Sequence, residues 1–404
     1  MSEMALLVDI GSTFSKGVLV DLGAGELVAT ARVPSTVATD VREGLRELRS
    51  ELLGTREPDL ALASSSAAGG LQIVASGLVP SLTVTAARQA ALGAGAKVTR
   101  TFSYKLTRSD LEELAVRRPD ILLLSGGTDG GDEEVVLANA RAIAANLEPF
   151  GTVIYAGNRN AAEEVHERLA SAGWAVEVVA NVLPEVRRVD TNEVGECIRR
   201  IFLQNIIQAK GIQAAAELVG GVIMPTPSAV MAAASVITRA GSGEESLFES
   251  VLVVDVGGAT TDVVSVSEET PDRNVVRTGL AEPIIKRTVE GDLGMRHNAD
   301  TVVDLVGREE VLRRVDGLGE QQLDRLLEDF TATPELLTSE ETASAVDRLI
   351  ASAAISEASR RHAGRVEQIF VPGSDEVQRV RGKDLREVDA IVGTGGPLTS
   401  SSDA

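Results

Sequence analysis

A long-range repeat constrains this chain more than any other feature. Residues 6–20 read LLVDIGSTFSKGVLV and residues 252–266 read LVVDVGGATTDVVSV. Six of the fifteen positions are identical, most others are similar in kind, and the copies lie 246 residues apart. Each copy is an apolar run ending in Asp, a Gly two residues on, a few small or hydroxyl residues, and a second apolar run. Short apolar runs bounded by Gly, Ser and Thr predict strand, tight turn, strand. A single Asp-x-Gly turn reads as an ordinary hairpin with a surface carboxylate. Two that also match along both flanking strands predict one strand–turn–strand unit used twice.

The chemistry of such a tip is specific. Gly and hydroxyl residues let backbone N–H groups approach a ligand without side chains in the way, and clustered N–H donors cradle anions such as phosphates. An Asp at the same edge repels a phosphate unless a cation lies between, and Mg²⁺ suits carboxylate, water and phosphate oxygens. Two tips facing across a cleft would clamp a polyphosphate. The candidates are Asp9, Gly11, Ser12, Thr13 and Lys16 in the first tip, and Asp255, Gly257, Gly258, Ala259 and Thr260 in the second. Lys16 would add positive charge at the β- and γ-phosphates. A third element, DAIVGTGGPL at 389–398, runs a buried strand into Gly393, Gly395 and Gly396. That turn leaves room for a flat base and ribose against bare backbone.

At 404 residues two or three domains are expected. With 44% hydrophobic and 25% charged residues the chain reads as a soluble globular protein. Its net charge of −21 argues against nonspecific binding to a nucleic-acid backbone. Cys197 is the only cysteine, which excludes an intrachain disulfide, a zinc ribbon and a chain-borne iron–sulfur cluster. Its apolar helical setting predicts a buried small hydrophobe. Residues 218–238 carry no charge and match the ~20 residues of a membrane span. Gly220, Gly221, Pro225 and Pro227 break the run, so it predicts a buried strand, a turn and a core helix from about Ser228. No signal peptide precedes the first strand, and a cytoplasmic protein is expected.

Along the chain, Val41, Leu45, Leu48 and Leu52 share one helical face behind Asp40 as N-cap. DLALASSSAAGGLQIVASGL reads as two buried strands around a small-residue turn, followed by a short helix. From Lys97 to about 190, short apolar strands alternate with helices, the pattern of a small parallel α/β layer. The expected plan is a first lobe over 1–96, an inserted α/β domain over 97–190, connecting helices over 191–250, and a second lobe over 251–404. That second lobe is mostly helical over 300–364, with a capping box from Thr338 to Glu341. It ends soon after a buried-looking strand, short of a helix to dock on it.

The two Asp-tipped hairpins and the late glycine turn resemble the ASKHA superfamily of actin, heat-shock chaperones and sugar kinases. In that pattern 9–16 is the first phosphate loop, 255–262 the second, 393–396 the adenosine loop, and about 228–238 the helix connecting the lobes. The resemblance implies an α/β fold of two ribonuclease-H-like lobes, here with an inserted parallel α/β domain. LLVDIGSTFSKGVLVDL, SSSAAGGLQIVASGLVPSLT, AALGAGAKV, PDILLLSGGTDGG, NVLPEV and VEGDLGMR together resemble the MutL/GlmL family over nearly the whole chain. That family is also similar to the hydantoinase/oxoprolinase ATP-binding domain. Its members are accessory proteins encoded beside adenosylcobalamin-dependent glutamate mutase and related mutases. The resemblance implies an ATP-binding, ATP-hydrolysing, chaperone-like protein that takes Mg²⁺ and acts on a mutase, with no nucleic-acid or membrane partner. Asp9 would then hold Mg²⁺ through water, Asp255 would position the attacking water or the metal, and catalysis would be charge neutralisation and positioning. Family members continue past the adenosine loop, whereas this sequence stops just after it.

Other segments carry two readings each. SGGTDGGD (125–132) is either a second anion or partner site or a tight strand-to-helix turn with Asp132 as N-cap. SSSAAGG (64–70) is either a packed turn or a contact of the cleft. In EGDLGMR, which carries Glu290, Asp292 and Arg296, Asp292 either orients a metal-bound water or caps a helix. His166, His297 and His362 are too dispersed to predict a metal site. The same fold also serves small-molecule kinases and filament-forming, actin-like binding proteins. A sugar pocket would draw on Trp174, Tyr104 and Tyr155, all in the insertion.

Overall fold

The structure is a computed structural model that describes residues 3–11, 13–36, 40–66, 71–208, 217–238, 248–268, 275–334, 340–370 and 377–399. Ser12, residues 67–70 of the SSSAAGG segment and Thr338 of the expected capping box lie outside these.

The first repeat forms strands β1 (Met4–Ile10) and β2 (Phe14–Asp21), antiparallel, with Asp9 opposite Lys16. β3 (Glu26–Pro34) pairs with β2, β4 (Leu60–Ser65) runs parallel to β1, and β10 (Val222–Pro225) runs parallel to β4. The sheet order is β10-β4-β1-β2-β3. Side chains alternate along a strand, so Leu6, Val8 and Ile10 enter the core with Leu45, Leu48 and Leu52 of helix Val41–Leu53. Asp9 falls on the opposite face. Asp40 caps that helix, accepting the Arg42 N–H at 3.0 Å.

The second repeat forms the same hairpin. β11 (Val251–Val256) and β12 (Thr261–Val266) are antiparallel, with Asp255 opposite Asp262. β14 (Ile285–Glu290) and β17 (Ala390–Thr394) complete a sheet ordered β14-β12-β11-β17. Helices Ala299–Val306, Glu320–Ala332 and Glu341–His362 pack on it around Val302, Leu323, Phe330, Val346 and Ile350. A small sheet of β13 (Val275–Arg277), β16 (Val377–Arg381) and β15 (Arg365–Ile369) lies beside it. Helix Thr226–Thr238, continuous with β10, sets Met231 and Ala234 against Val251, Val253 and Val264 of the second sheet. The uncharged run is thus a strand and a core helix, and no helix among the described residues is long and apolar enough to cross a membrane.

The inserted layer is a wholly parallel sheet ordered β6-β5-β7-β8-β9. Its strands are β5 (Gln72–Gly77), β6 (Lys97–Ser103), β7 (Ile121–Leu124), β8 (Thr152–Tyr155) and β9 (Ala175–Val178). In local order this is 2-1-3-4-5, a doubly wound arrangement. The sequence boundary at 97 therefore falls inside this sheet. β4 and β5 do not form a hairpin: β4 pairs with β1 in one sheet and β5 lies between β6 and β7 in another. β10, the buried strand expected at the start of the uncharged run, completes the first lobe's sheet.

Candidate functional site

A cleft of about 820 Å³ brings the two repeats together. Asp9, Gly11, Thr13 and Lys16 line it from the first lobe, and Asp255, Gly257, Gly258, Gly395 and Gly396 from the second. The strand pairing explains why. Each Asp is the next-to-last residue of its strand, so each carboxylate sits at a sheet end beside a turn.

The turns need their glycines. A Cβ on Gly11 would lie 2.5 Å from the Phe14 carbonyl oxygen, while one on Gly257 would lie 3.1 Å from that of Thr260. Gly395 has φ +102°, and a Cβ there would meet the Val256 carbonyl oxygen at 2.1 Å. Both constraints restrict the position to glycine. The parallel pair β11–β17 sets Thr394 beside Asp255, so the glycine turn at 395–396 adjoins the second Asp-tipped hairpin.

Asp9 is held from its own lobe. Ser64 donates to Oδ1 at 3.0 Å and Thr226 donates to the same oxygen at 2.5 Å. Oδ2 has no hydrogen-bond partner among the described residues. Asp255 has a different environment. Burial pushes its carboxyl up to about 6; Asp262 and Asp9 push the same way, and Lys16 and Arg287 oppose them. Asp262 in turn receives Arg287, with Nε at 2.8 Å from Oδ1.

Of the expected residues, Ala259, Thr260 and Gly393 are not among those lining the cleft. The Ala259 carbonyl accepts from Asn298 at 3.0 Å, the Thr260 hydroxyl donates to Asp262 at 3.1 Å, and Gly393 sits within β17 opposite Val254. Ser12 lies outside the described residues. Ser66 lines the cleft, which with the Ser64 bond to Asp9 brings the described part of SSSAAGG to the site.

Sequence reasoning missed one whole wall. Ser344, Asp347, Arg348, Ala351, Ser352, Ile355 and Ser356 of helix Glu341–His362 line the cleft. Their spacing of three and four residues is one helical stripe. A stripe of small and polar residues on the side of the helix opposite Val346, Ile350 and Ala354 was the available signal. Arg296 also lines the cleft, its guanidinium forked onto Asp347 at 2.7 and 2.9 Å and stacked over Phe330 at 4.5 Å.

The remaining motifs lie elsewhere. In 125–132 the side chain of Asn158 accepts from the Gly130 N–H and donates to the Gly131 carbonyl, both at 3.1 Å. The Asp132 carboxylate accepts the Val135 N–H at 3.3 Å, the capping role, although the helix itself begins at Glu134. Asp292 is forked onto Arg361 at 2.8 and 3.0 Å and does not line the cleft. Trp174 and Tyr155 are buried inside the insertion, and neither they nor Tyr104 line the cleft.

Two lobes built on the same Asp-tipped hairpin and facing one cleft define an ASKHA-type α/β protein. The sequence profile of the family described as MutL protein matches residues 5–404, and the chain belongs to that family. The protein named Protein MutL from Clostridium tetanomorphum is 39% identical over 408 residues, spanning 98% of this chain and 86% of its own. Similar solved structures include nucleotide-free acetone carboxylase, with TM-score 0.34 and 15% identity over 72% of this chain and 48% of that one. Gluconate kinase from Lactobacillus acidophilus gives TM-score 0.30 and 11% identity over 100% of this chain and 83% of that one. These structural likenesses are too loose to bear on function.

Proposed function

We propose that this protein binds ATP with Mg²⁺ in the interlobe cleft, hydrolyses it, and uses the cycle to reactivate or assemble an adenosylcobalamin-dependent mutase of the glutamate mutase type. The observation that carries the nucleotide reading is the convergence of Asp9, Lys16, Asp255 and the Gly395 turn on one cleft. The partner reading rests on membership of the MutL family.

The donor set fits a Mg²⁺-nucleotide. Among the described residues no group of three or more His, Cys, Asp or Glu could hold a metal alone. Mg²⁺ typically takes one or two carboxylates and leaves its other positions to water and phosphates. Asp9 and Asp255 would hold it, and when bound the ion would offset the phosphate charge that the carboxylates otherwise repel. Lys16 and Arg348 add cationic groups to the cleft wall. Glycine backbone at 257–258 and 395–396 leaves space for the phosphates and base, and Asp255 orients the attacking water.

Asp255→Ala is expected to abolish ATP hydrolysis, with far-UV circular dichroism retained. Turnover at the wild-type rate by that variant would refute the assignment. For the partner, a purified glutamate mutase should be retained by the immobilised protein in an ATP-dependent way. Equal retention with and without ATP would sink the cycle.

A further inference from the structure

The AALGAGAKV motif, residues 90–98, lies outside the cleft, yet both cleft carboxylates are tied to it. Helix Thr85–Gly93 ends here, and Lys97 begins β6 of the inserted sheet. Gly95 has φ +87°, and a Cβ on it would stand 2.7 Å from the Ser228 hydroxyl and 3.1 Å from Pro225. Only glycine lets the turn press this closely on the start of helix Thr226–Thr238.

Two routes, each joining hydrogen bonds through a shared helix or strand pair, converge on the turn. From the first lobe, Thr226 donates to Asp9 at 2.5 Å, and two residues along the same helix Ser228 donates to the Ala94 carbonyl at 3.2 Å. From the second lobe, Asp255 stands opposite Asp262 in the β11–β12 ladder. Asp262 accepts from Arg287, and Nη1 of Arg287 donates to the carbonyls of Leu92 and Ala96 at 3.1 and 3.0 Å. Arg287 is only 5% exposed. It therefore divides one buried positive charge between a carboxylate of the second lobe and the carbonyl end of an insertion helix, where the helix dipole is negative.

We propose that the turn at 92–96 is the joint through which occupancy of the cleft is passed to the inserted domain, with Arg287 as the positioning residue that holds its second-lobe side. The proposal rests on the nucleotide reading above. Its physical basis is a differential interaction, which any coupling requires. A cation and polyphosphate at Asp255 alter the field at Asp262, its ladder neighbour. The share of the Arg287 charge drawn toward Asp262, and away from the Leu92 and Ala96 carbonyls, then changes. Asp9 engages the same turn through Thr226 and Ser228, so a ligand held by both carboxylates acts on it from both lobes.

The test is hydrogen–deuterium exchange on the full chain, with and without saturating Mg²⁺-ATP, in wild type, Arg287→Lys and Ser228→Ala. Lysine keeps a charge for Asp262 but cannot reach Asp262 and two carbonyls together. In wild type, ATP should slow exchange at both hairpin tips and, by about fivefold, in 92–98. Arg287→Lys should keep the slowing at the tips and lose it in 92–98. Ser228→Ala removes a single hydroxyl outside the cleft lining. It should keep nucleotide affinity and lose part of the 92–98 response. Protection at the tips with none in 92–98, or a full response in both variants, overturns the joint and leaves the nucleotide site standing. Absence of ATP binding to wild type overturns both.

Discussion

The two hairpins differ most at a single position of the repeat. Aligning 6–20 with 252–266 sets Lys16 against Asp262. In the first hairpin the acid faces a base across the ladder; in the second it faces another acid. The first tip can balance its charge within two strands, aided by hydroxyls from Ser64 and Thr226. The second must import a cation, and Arg287 on β14 provides it. Two hairpins of one pattern are therefore charged differently. One is a tip whose acid faces a lysine within its own hairpin, and the other is a tip whose acid depends on the strand beside it and, through Arg287, on the insertion.

The largest expected effect breaks that dependence. Arg287→Met leaves Asp262 with no counter-charge at a site where the Asp262 side chain is 13% exposed. Removing one partner of a buried pair costs about 3–5 kcal/mol, because the survivor keeps its desolvation penalty. Urea unfolding should show that loss, and Arg287→Met with Asp262→Asn should recover most of it. A loss under about 1 kcal/mol for the single variant would mean that the pair is solvated and the halves are alike.

Next in size is the acid itself. The carboxyl of Asp255 sits near 6 against 3.8 for a free aspartate, so the folded protein holds this proton more tightly than the unfolded chain does. The stabilisation from protonation is complete below pH 3.8 and is lost as pH rises through about 6. At pH 7.5 the ionised group costs at most about 3 kcal/mol. Asp255→Asn should therefore raise Tm at pH 7.5, with the gain fading below pH 4 and ATP turnover gone. An unchanged Tm at pH 7.5 would show that the group is not strained in the free cleft.

How much of this could be read from the residues follows from what periodicity encodes. The two hairpins were legible because the same Asp, Gly and flanking apolar runs occur twice. The α/β rhythm of the insertion was legible from 97 onward. The partners of buried strands were not. LALASS and QIVASG are both short apolar runs, and nothing in either distinguishes a neighbour in the same sheet from one in another. Arg287 was equally hidden, since a charged residue in an alternating strand reads as solvent-facing, and only the approach of Leu92 and Ala96 shows otherwise. VQRVR at β16 was missed because its charges hide a strand that buries Val377 and Val380. The Ser344–Ser356 wall was missed because small residues on both sides of a helix blur its faces.

Lys16 sharpens the comparison on the ligand side. Lys16→Met removes the base from the first tip while Arg287 stays in the second. A charge-assisted hydrogen bond contributes about 1.5–3 kcal/mol, so ATP affinity should fall roughly ten- to a hundredfold. Affinity should also become less salt-sensitive. Calorimetric titration at two ionic strengths reads both effects. Unchanged affinity would place the phosphates against the second tip alone.

The smallest expected difference lies in the turns. An alanine at Gly11 must move the Phe14 carbonyl from 2.5 Å, a backbone atom that also accepts the Gly11 N–H at 3.1 Å. An alanine at Gly257 meets the Thr260 carbonyl at 3.1 Å, a gap that closes with a shift of a few tenths of an ångström. Gly11→Ala should therefore cost about 1 kcal/mol more than Gly257→Ala in thermal or urea unfolding. On the nucleotide reading the same order should hold for loss of ATP affinity, because the tighter turn cannot relax without moving its own backbone. Equal losses would mean that the two tips relax alike, and that their division of labour rests on charge and not on backbone.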